Sequence, residues 1–336
     1  MTYRTDRIHP SKYFLILFLV IAILLLSLFL LWIQSHQDAQ TSLPPKFHFY
    51  VILQNEGDPY WQEVARGVKE AADKYHIAVE MNSPKFNNPE EELSFFDIAV
   101  TSRVDGIITH VPFGMDFSPA IEKAYERKIP VVTIENDAPG SQRNAFVGTN
   151  SFLLGKEAGV LMERALKGNG KIGVIVSDEY ESDEAIKNLK MSGFLTALKG
   201  KPNIEVVKIA TSKMGMISAE DLIQSFFKEE PDINAIYATN SVDTLGAAQT
   251  IVDLNKVGKV TLIGYGDVEE IIRYIRKGII YGTVMSDPYK MGYESVKALL
   301  DIKEKETTST FIDTGVHVIT AENLQDYLSH RSVREE

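Results

Sequence analysis

GDPYWQEVARG, residues 57–67, follows the apolar run FHFYVIL at residues 47–53, and the reading of this pair decides the fold. The run reads as a strand, and Trp61, Val64, Ala65, Val68 and Ala72 recur at the spacing of one helix face. Between them, Tyr60 and Trp61 put two adjacent rings on the first turn of the helix, where small polar residues are the usual choice. Neighbours on a helix point about 100° apart, so both rings cannot face the core. One ring supports the helix; the other is free for a different task, and a flat ring suits the apolar C–H face of a pyranose or furanose.

The same alternation continues outward along the chain. IAVEM (77–81) is followed by a helix opened by Asn88-Pro89-Glu90-Glu91. Asn suits the cap, and Pro suits the first helical position because its missing N–H has no partner there. Ser118-Pro119 repeats the device. Further strands read at 106–109, 131–134, 172–176, 204–207, 235–238, 260–263 and 282–284, with helical patterns between nearly all of them. Repeated β-α alternation implies parallel sheets covered on both faces, and the strands are too many for one comfortable sheet. The expected fold is α/β, with two doubly wound parallel-sheet lobes. Ligands of such sheets sit beyond the carboxyl ends of the strands, so the residues just after each strand are the candidates.

The composition bounds the function. The chain has 336 residues, 44% of them hydrophobic, enough for a substantial core in two lobes. A formal net charge of −11 argues against a nucleic-acid surface. The absence of Cys removes thiolate catalysis, disulfides, Cys-ligated metals and a thioether-linked lipid. FLILFLVIAILLLSLFLLWI, residues 14–33, is apolar except for Ser27 and long enough to cross a hydrocarbon core of ~30 Å. A cleaved signal peptide has a shorter apolar region of about 7 to 15 residues and a small-x-small site. Neither is well met, so an uncleaved anchor is expected. Arg4, Arg7 and Lys12 precede it and the next basic residue is Lys46, which puts the N-terminus in the cytoplasm and the rest outside. QSHQDAQTSLPPK, residues 34–46, reads as a tether.

Several motifs have a bland reading beside the sharp one. GNGKIG (168–173) matches the spacing of a dinucleotide fingerprint, but it follows a helix and leads into a strand. A phosphate cradle needs the opposite order, so the glycines read as a helix stop and turn. The seven His have no metal-binding spacing. Glu135, Asp137, Asp178, Glu179, Asp243, Asp267 and Asp287 follow strands, and without a nucleophile motif beside them, accepting hydroxyls is a simpler role than catalysis. His110 reads either as a satisfied loop histidine or as a ligand contact.

Taken in order, DPYWQEVARGVKEAADKY (58–75), VDGII (104–108), IPVVTIENDAP (129–139), FVGTN (146–150), PDINAIYATN (231–240), IGYGD (263–267) and GTVMSDPYKMGY (282–293) resemble the class I periplasmic sugar-binding proteins of the ribose-binding type. The fold of that family also serves as the ligand domain of lactose-repressor-like regulators. The resemblance covers residues 47–327. It implies sugar contacts at Asp58, Tyr60 and Trp61, the two rings sandwiching the sugar. Further contacts fall at His110, Glu135, Asn136, Lys190, Asn240, Asp267 and Ser286. Gly266 departs from the family's sugar-binding Asp, and Ser286 from a common Gln. Lys190 replaces an Arg, and Glu135-Asn136 replace Asp-Arg, which removes bidentate donors.

The resemblance also implies a three-segment hinge, with crossings near 148–150, 284–286 and 311–315. The expected layout is a cytoplasmic N-terminus at 1–13, an anchor at 14–33, a tether at 34–46, an N-terminal lobe at 47–148 plus 286–310, and a C-terminal lobe at 149–285 plus 311–330. The expected function is that of a cell-membrane, single-pass sugar receptor without catalysis, metal or cofactor. It closes on a monosaccharide and presents the closed form to an ABC sugar permease or a sensor histidine kinase. A non-sugar small-molecule or protein-binding receptor is the alternative on the same fold. A repressor is disfavoured because residues 14–33 stand where a helix-turn-helix belongs. A glycoside-processing enzyme is disfavoured by the lack of a nucleophile motif.

Overall fold

The computed structural model describes residues 17–29, 44–112, 115–177, 184–213 and 215–335. The chain divides after Lys46. Residues 17–29 (α1) are helical and exposed throughout. Among the described residues no helix is long and apolar enough to cross a membrane. The anchor expected over 14–33 extends past both ends of α1, outside the described residues, as do residues 1–13 and most of the tether.

From Phe47 the alternation read in the sequence is realised. β1 (His48–Ile52) sends Phe49 and Val51 into one core and Tyr50 and Ile52 into another, on opposite faces. That is why the run is apolar without alternation: helices cover both sides. α2 (Pro59–Tyr75) begins at Asp58, whose carboxylate accepts from the Tyr60 N–H at 2.9 Å, with Pro59 opening the helix. The elements that follow are β2 (Ala78–Asn82), α3 (Pro89–Ser102), β3 (Gly106–His110), α4 (Ser118–Glu126), β4 (Val131–Ile134) and β5 (Ala145–Gly148). The second run comprises α5 (Ser151–Leu166), β6 (Gly170–Ser177), α6 (Glu184–Leu198), β7 (Ile204–Ser212), α7 (Gly215–Glu229), β8 (Ala235–Ala238), α8 (Ser241–Asp253), β9 (Thr261–Tyr265), α9 (Glu269–Arg276) and β10 (Gly282–Met285). The chain then returns through α10 (Pro288–Lys305), β11 (Phe311–Asp313), β12 (His317–Thr320) and α11 (Leu324–Glu335).

Two 6-stranded sheets result, ordered β11-β5-β4-β3-β1-β2 and β12-β10-β9-β8-β6-β7. The first is parallel throughout; in the second only β12 runs antiparallel, against β10. In each sheet the order reverses beside its first strand, which opens a crevice at the carboxyl ends. One boundary moves. β11, placed in the second lobe by a division before Phe311, pairs with β5 in the first sheet. The third crossing therefore lies between Asp313 and His317.

The crossings lie side by side. Thr149 and Thr314 share a hydroxyl hydrogen bond of 2.8 Å, Thr314 N–H donates to the Gly148 carbonyl at 2.9 Å, and Lys290 Nζ donates to the Thr314 carbonyl at 3.1 Å. Each lobe also seats one helix pair on glycine. A Cβ at Gly67 would lie 2.0 Å from the Tyr289 carbonyl oxygen, and one at Gly155 would lie 1.9 Å from that of Lys190. These contacts set the depth of α10 on α2 and of α6 on α5.

Two local readings have different outcomes. Gly168, at φ 96, follows the α5 cap and leads into β6, a helix stop as its order suggested. Asn88 caps α3, but the Ser118-Pro119 start differs: Ser118 is already helical, and Asp116 accepts from its N–H at 2.9 Å.

Candidate functional site

The carboxyl ends of both sheets face a cavity of about 720 Å³, within the range of small-molecule sites. Each of the ten residues expected to touch ligand lines it. Their roles differ from the expectation in several places.

Tyr60 is the link across the site. Its hydroxyl donates to Glu135 and lies 3.2 Å from Ser286 Oγ, which lies 3.0 Å from the Tyr265 hydroxyl. A chain of hydroxyls thus runs from α2 in the first lobe, through the crossing after β10, to the end of β9 in the second. Burial, and then the Glu135 charge, push the Tyr60 phenol well above its ordinary value, so it stays a donor. Glu135 adopts φ 63, a left-handed conformation uncommon for a residue with a side chain. Lys190, on α6, is 7% exposed, and its Nζ stands 5.6 Å from the centre of the Tyr265 ring. Burial lowers its pKa to about 8, against an opposing pull from Glu135.

Trp61 turns into the core, 3% exposed, and its Nε1 donates to Gln54 Oε1 at 3.0 Å. The two rings meet edge to face at 80°, so they do not form the parallel walls of a sandwich. Tyr60 is the ring left on the cavity side. His110 is 1% exposed and both its nitrogens are engaged, with Glu92 and Asn136, so the ring lines the cavity with its hydrogen-bonding groups already used within the wall. Asn240 caps α8: its Oδ1 accepts from the Asp243 N–H at 2.8 Å and its amide donates to the Asp243 carboxylate. Asp267 accepts from the Tyr327 hydroxyl at 2.6 Å. Gly266 has φ 94, a backbone conformation strained for any residue with a side chain, and a Cβ there would also displace the Ser241 hydroxyl, 2.2 Å away, so this turn disfavours an Asp.

The sequence reading left Glu92, Tyr265, His317 and Tyr327 off the candidate set. Tyr265 lies in IGYGD (263–267), just after a strand read at 260–263, whereas Glu92 lies in a helix first turn and reads as ordinary surface. His317 Nε2 lies 2.9 Å from the carboxylate of Asp287, the α10 cap, a pairing across 30 residues that no local pattern announces. Among the described residues no three metal-ligating side chains gather.

The periplasmic binding protein domain matches residues 49–307, more than half of the chain. The chain belongs to the periplasmic binding protein family. Within that family its relatives are class I sugar-binding proteins and not enzymes. The chain is similar to the D-allose-binding periplasmic protein of Escherichia coli K12, 22% identical over 76% of this chain and 84% of that one. It is also similar to the ribose import binding protein of Bacillus subtilis, 23% identical over 84% and 92%. Among solved structures, a glucose-galactose binding protein from Geobacillus stearothermophilus superposes with a TM-score of 0.74 at 32% identity, covering 83% of this chain and 98% of that one. A XylFII–LytSN complex superposes with a TM-score of 0.69 at 29% identity, covering 83% and 99%. For this periplasmic binding protein, then, the cavity between the sheet ends is where the family's ligand site belongs.

Proposed function

We propose that this binding protein is a membrane-anchored, extracytoplasmic receptor that closes on a monosaccharide and presents its closed form to a membrane partner. The observation that carries the reading is the hydroxyl chain Tyr60–Ser286–Tyr265, with Glu135 and Lys190 beside it, at the floor of a cavity lined from both lobes. Acceptors, hydroxyls and one buried cation around a Tyr ring suit a polyol with one apolar face. A ligand that touches both lobes favours the closed state over the open one, which makes closure a signal. The apolar run at 14–33 and the charges before it support the anchor and its orientation.

An ABC sugar permease and a sensor histidine kinase are the partners considered. The likeness to a protein solved in complex with LytSN supports a partner protein. The residue-by-residue contacts are part of the proposal: Tyr60, Glu135, Asn136, Lys190 and Ser286 meet the sugar, while Asp58, Trp61, His110, Asn240 and Asp267 shape the wall.

A thermal-shift screen of the full chain in mild detergent, against D-ribose, D-allose, D-arabinose, D-glucose and D-galactose, tests the reading. A ligand at 100 times its Kd stabilises the folded state by about 2.7 kcal/mol, a readily measured shift. Silence across the five sugars would remove the sugar reading and leave a receptor for another small molecule or for a protein.

A further inference from the structure

Asn136 lies between a backbone carbonyl and an imidazole. Its Nδ2 is 3.1 Å from the Val111 carbonyl oxygen and 3.1 Å from His110 Nε2. A carbonyl oxygen can only accept, so the nitrogen end of the amide faces it, and the orientation of the side chain is decided. Both amide hydrogens are then committed, one to Val111 and one to His110. The imidazole must therefore offer a lone pair at Nε2, and a neutral ring that does so carries its proton on Nδ1.

That proton has its acceptor. Glu92 Oε2 lies 2.8 Å from His110 Nδ1, and both residues are 1% exposed. Glu92 stands in the first turn of α3, where the positive end of the helix favours a carboxylate. The Trp61 ring meets the imidazole edge to face, 5.0 Å between centres, which holds the ring plane. Glu92, His110 and Asn136 thus form a relay, buried at Glu92 and His110 and open to the cavity at Asn136, in which each donor and acceptor is assigned. With its hydrogens spent, Asn136 has only Oδ1 to offer the cavity it lines.

We propose that Glu92 and His110 are positioning residues that hold Asn136 as a pure hydrogen-bond acceptor in the binding site, selecting ligands that bring a hydroxyl donor to that point. The identity of the donor rests on the sugar-receptor reading above; the relay itself does not. His110 in this arrangement has no ring nitrogen left to offer the ligand. A reversed tautomer, with hydrogen on Nε2, would oppose the amide hydrogens, and turning Asn136 over to accept it would set Oδ1 against the Val111 carbonyl oxygen, so Asn136 would lose its fixed orientation as an acceptor.

The test is the tautomer. Magic-angle-spinning NMR of the full chain, labelled with 15N-histidine and compared with His110→Gln for assignment, separates protonated from bare ring nitrogens. We expect Nδ1–H with a bare Nε2 in the wild-type chain. In Glu92→Gln, whose amide can also donate, the Nε2–H form appears. Titration calorimetry with whichever of the five sugars stabilises the wild type should show about a tenfold weaker Kd in Glu92→Gln, the loss of roughly one hydrogen bond. An Nε2–H or doubly protonated His110 in the wild type overturns the proposal. A Glu92→Gln chain that keeps both the wild-type tautomer and the wild-type affinity overturns it too. The wild-type spectrum needs no variant to fold, and if no sugar binds, the sugar reading falls while the tautomer still decides the relay.

Discussion

At the scale of single residues, the site separates groups that face the ligand from groups that hold them. The adjacent rings of Tyr60 and Trp61 divide the two tasks: Trp61 fills the core and fixes Gln54, while Tyr60 ties Glu135 to Ser286. Lys190 shows the cost of such a site. Its folded pKa of about 8 lies below the ordinary 10.5, chiefly because burial penalises the ammonium. Between those two pH values the unfolded chain binds more protons than the folded one, so stability from this group rises with pH across that window. Below about 8 the penalty is fully present. Lys190→Met is expected to unfold at a higher temperature than the wild type at pH 7, and the difference should shrink as the pH rises from about 8 to 10.5. Thermal denaturation of both chains across that range checks it. The same variant should bind sugar more weakly, the usual trade between stability and a functional group held under strain.

At the scale of elements, backbone proximity places the side chains that matter. α6 approaches α5 closely enough that a Cβ at Gly155 would meet the Lys190 carbonyl at 1.9 Å, and one at Gly193 would meet the Phe152 carbonyl at 2.0 Å. The pair fixes the height of α6, and with it the reach of Lys190 into the cavity. Gly155→Ala forces the helices apart and is expected to destabilise the fold by about 1–3 kcal/mol, as overpacking does. Urea unfolding measures it; an unchanged midpoint would mean that α6 slides freely. Short length combined with partial burial explains where sequence reading stops. β5, β11 and β12, of four, three and four residues, are not buried throughout, whereas β4, β8 and β10, at four residues each, are fully buried and legible. β11 finds its place only because the chain has already crossed back and β5 presents a free edge.

For the molecule as a whole, three neighbouring crossings and a cavity at the sheet ends are what the proposed function uses as hinge and mouth. A sugar that stabilises the chain in the thermal screen should also compact it. Small-angle scattering of the full chain in detergent is expected to show a smaller radius of gyration for the binding unit with sugar than without. Equal radii together with clear binding would sink the closure part of the proposed function, because a ligand with no preference between open and closed states shifts nothing. Orientation is checked separately. If the binding unit faces outward, protease added to intact cells should digest the chain after the tether, while the few residues before the anchor stay protected.

The sequence by itself determined the two-lobed alternation, the helix start at Asn88, the stop at Gly168 and the family. These depend on neighbours in the chain: period, caps and turn chemistry act within a few residues. The ten candidates all reached the cavity wall because parallel sheets send their strand ends to one side. What each candidate does there was decided by tertiary structure alone. His110 is separated from Glu92 by 18 residues and from Asn136 by 26, Tyr60 from Ser286 by 226, and Gly266 and Ser241 follow different, neighbouring strands, β9 and β8. Hydrogen bonds and steric limits between residues so far apart leave no trace in local pattern, because only the folded chain brings their atoms within 3 Å or so of one another.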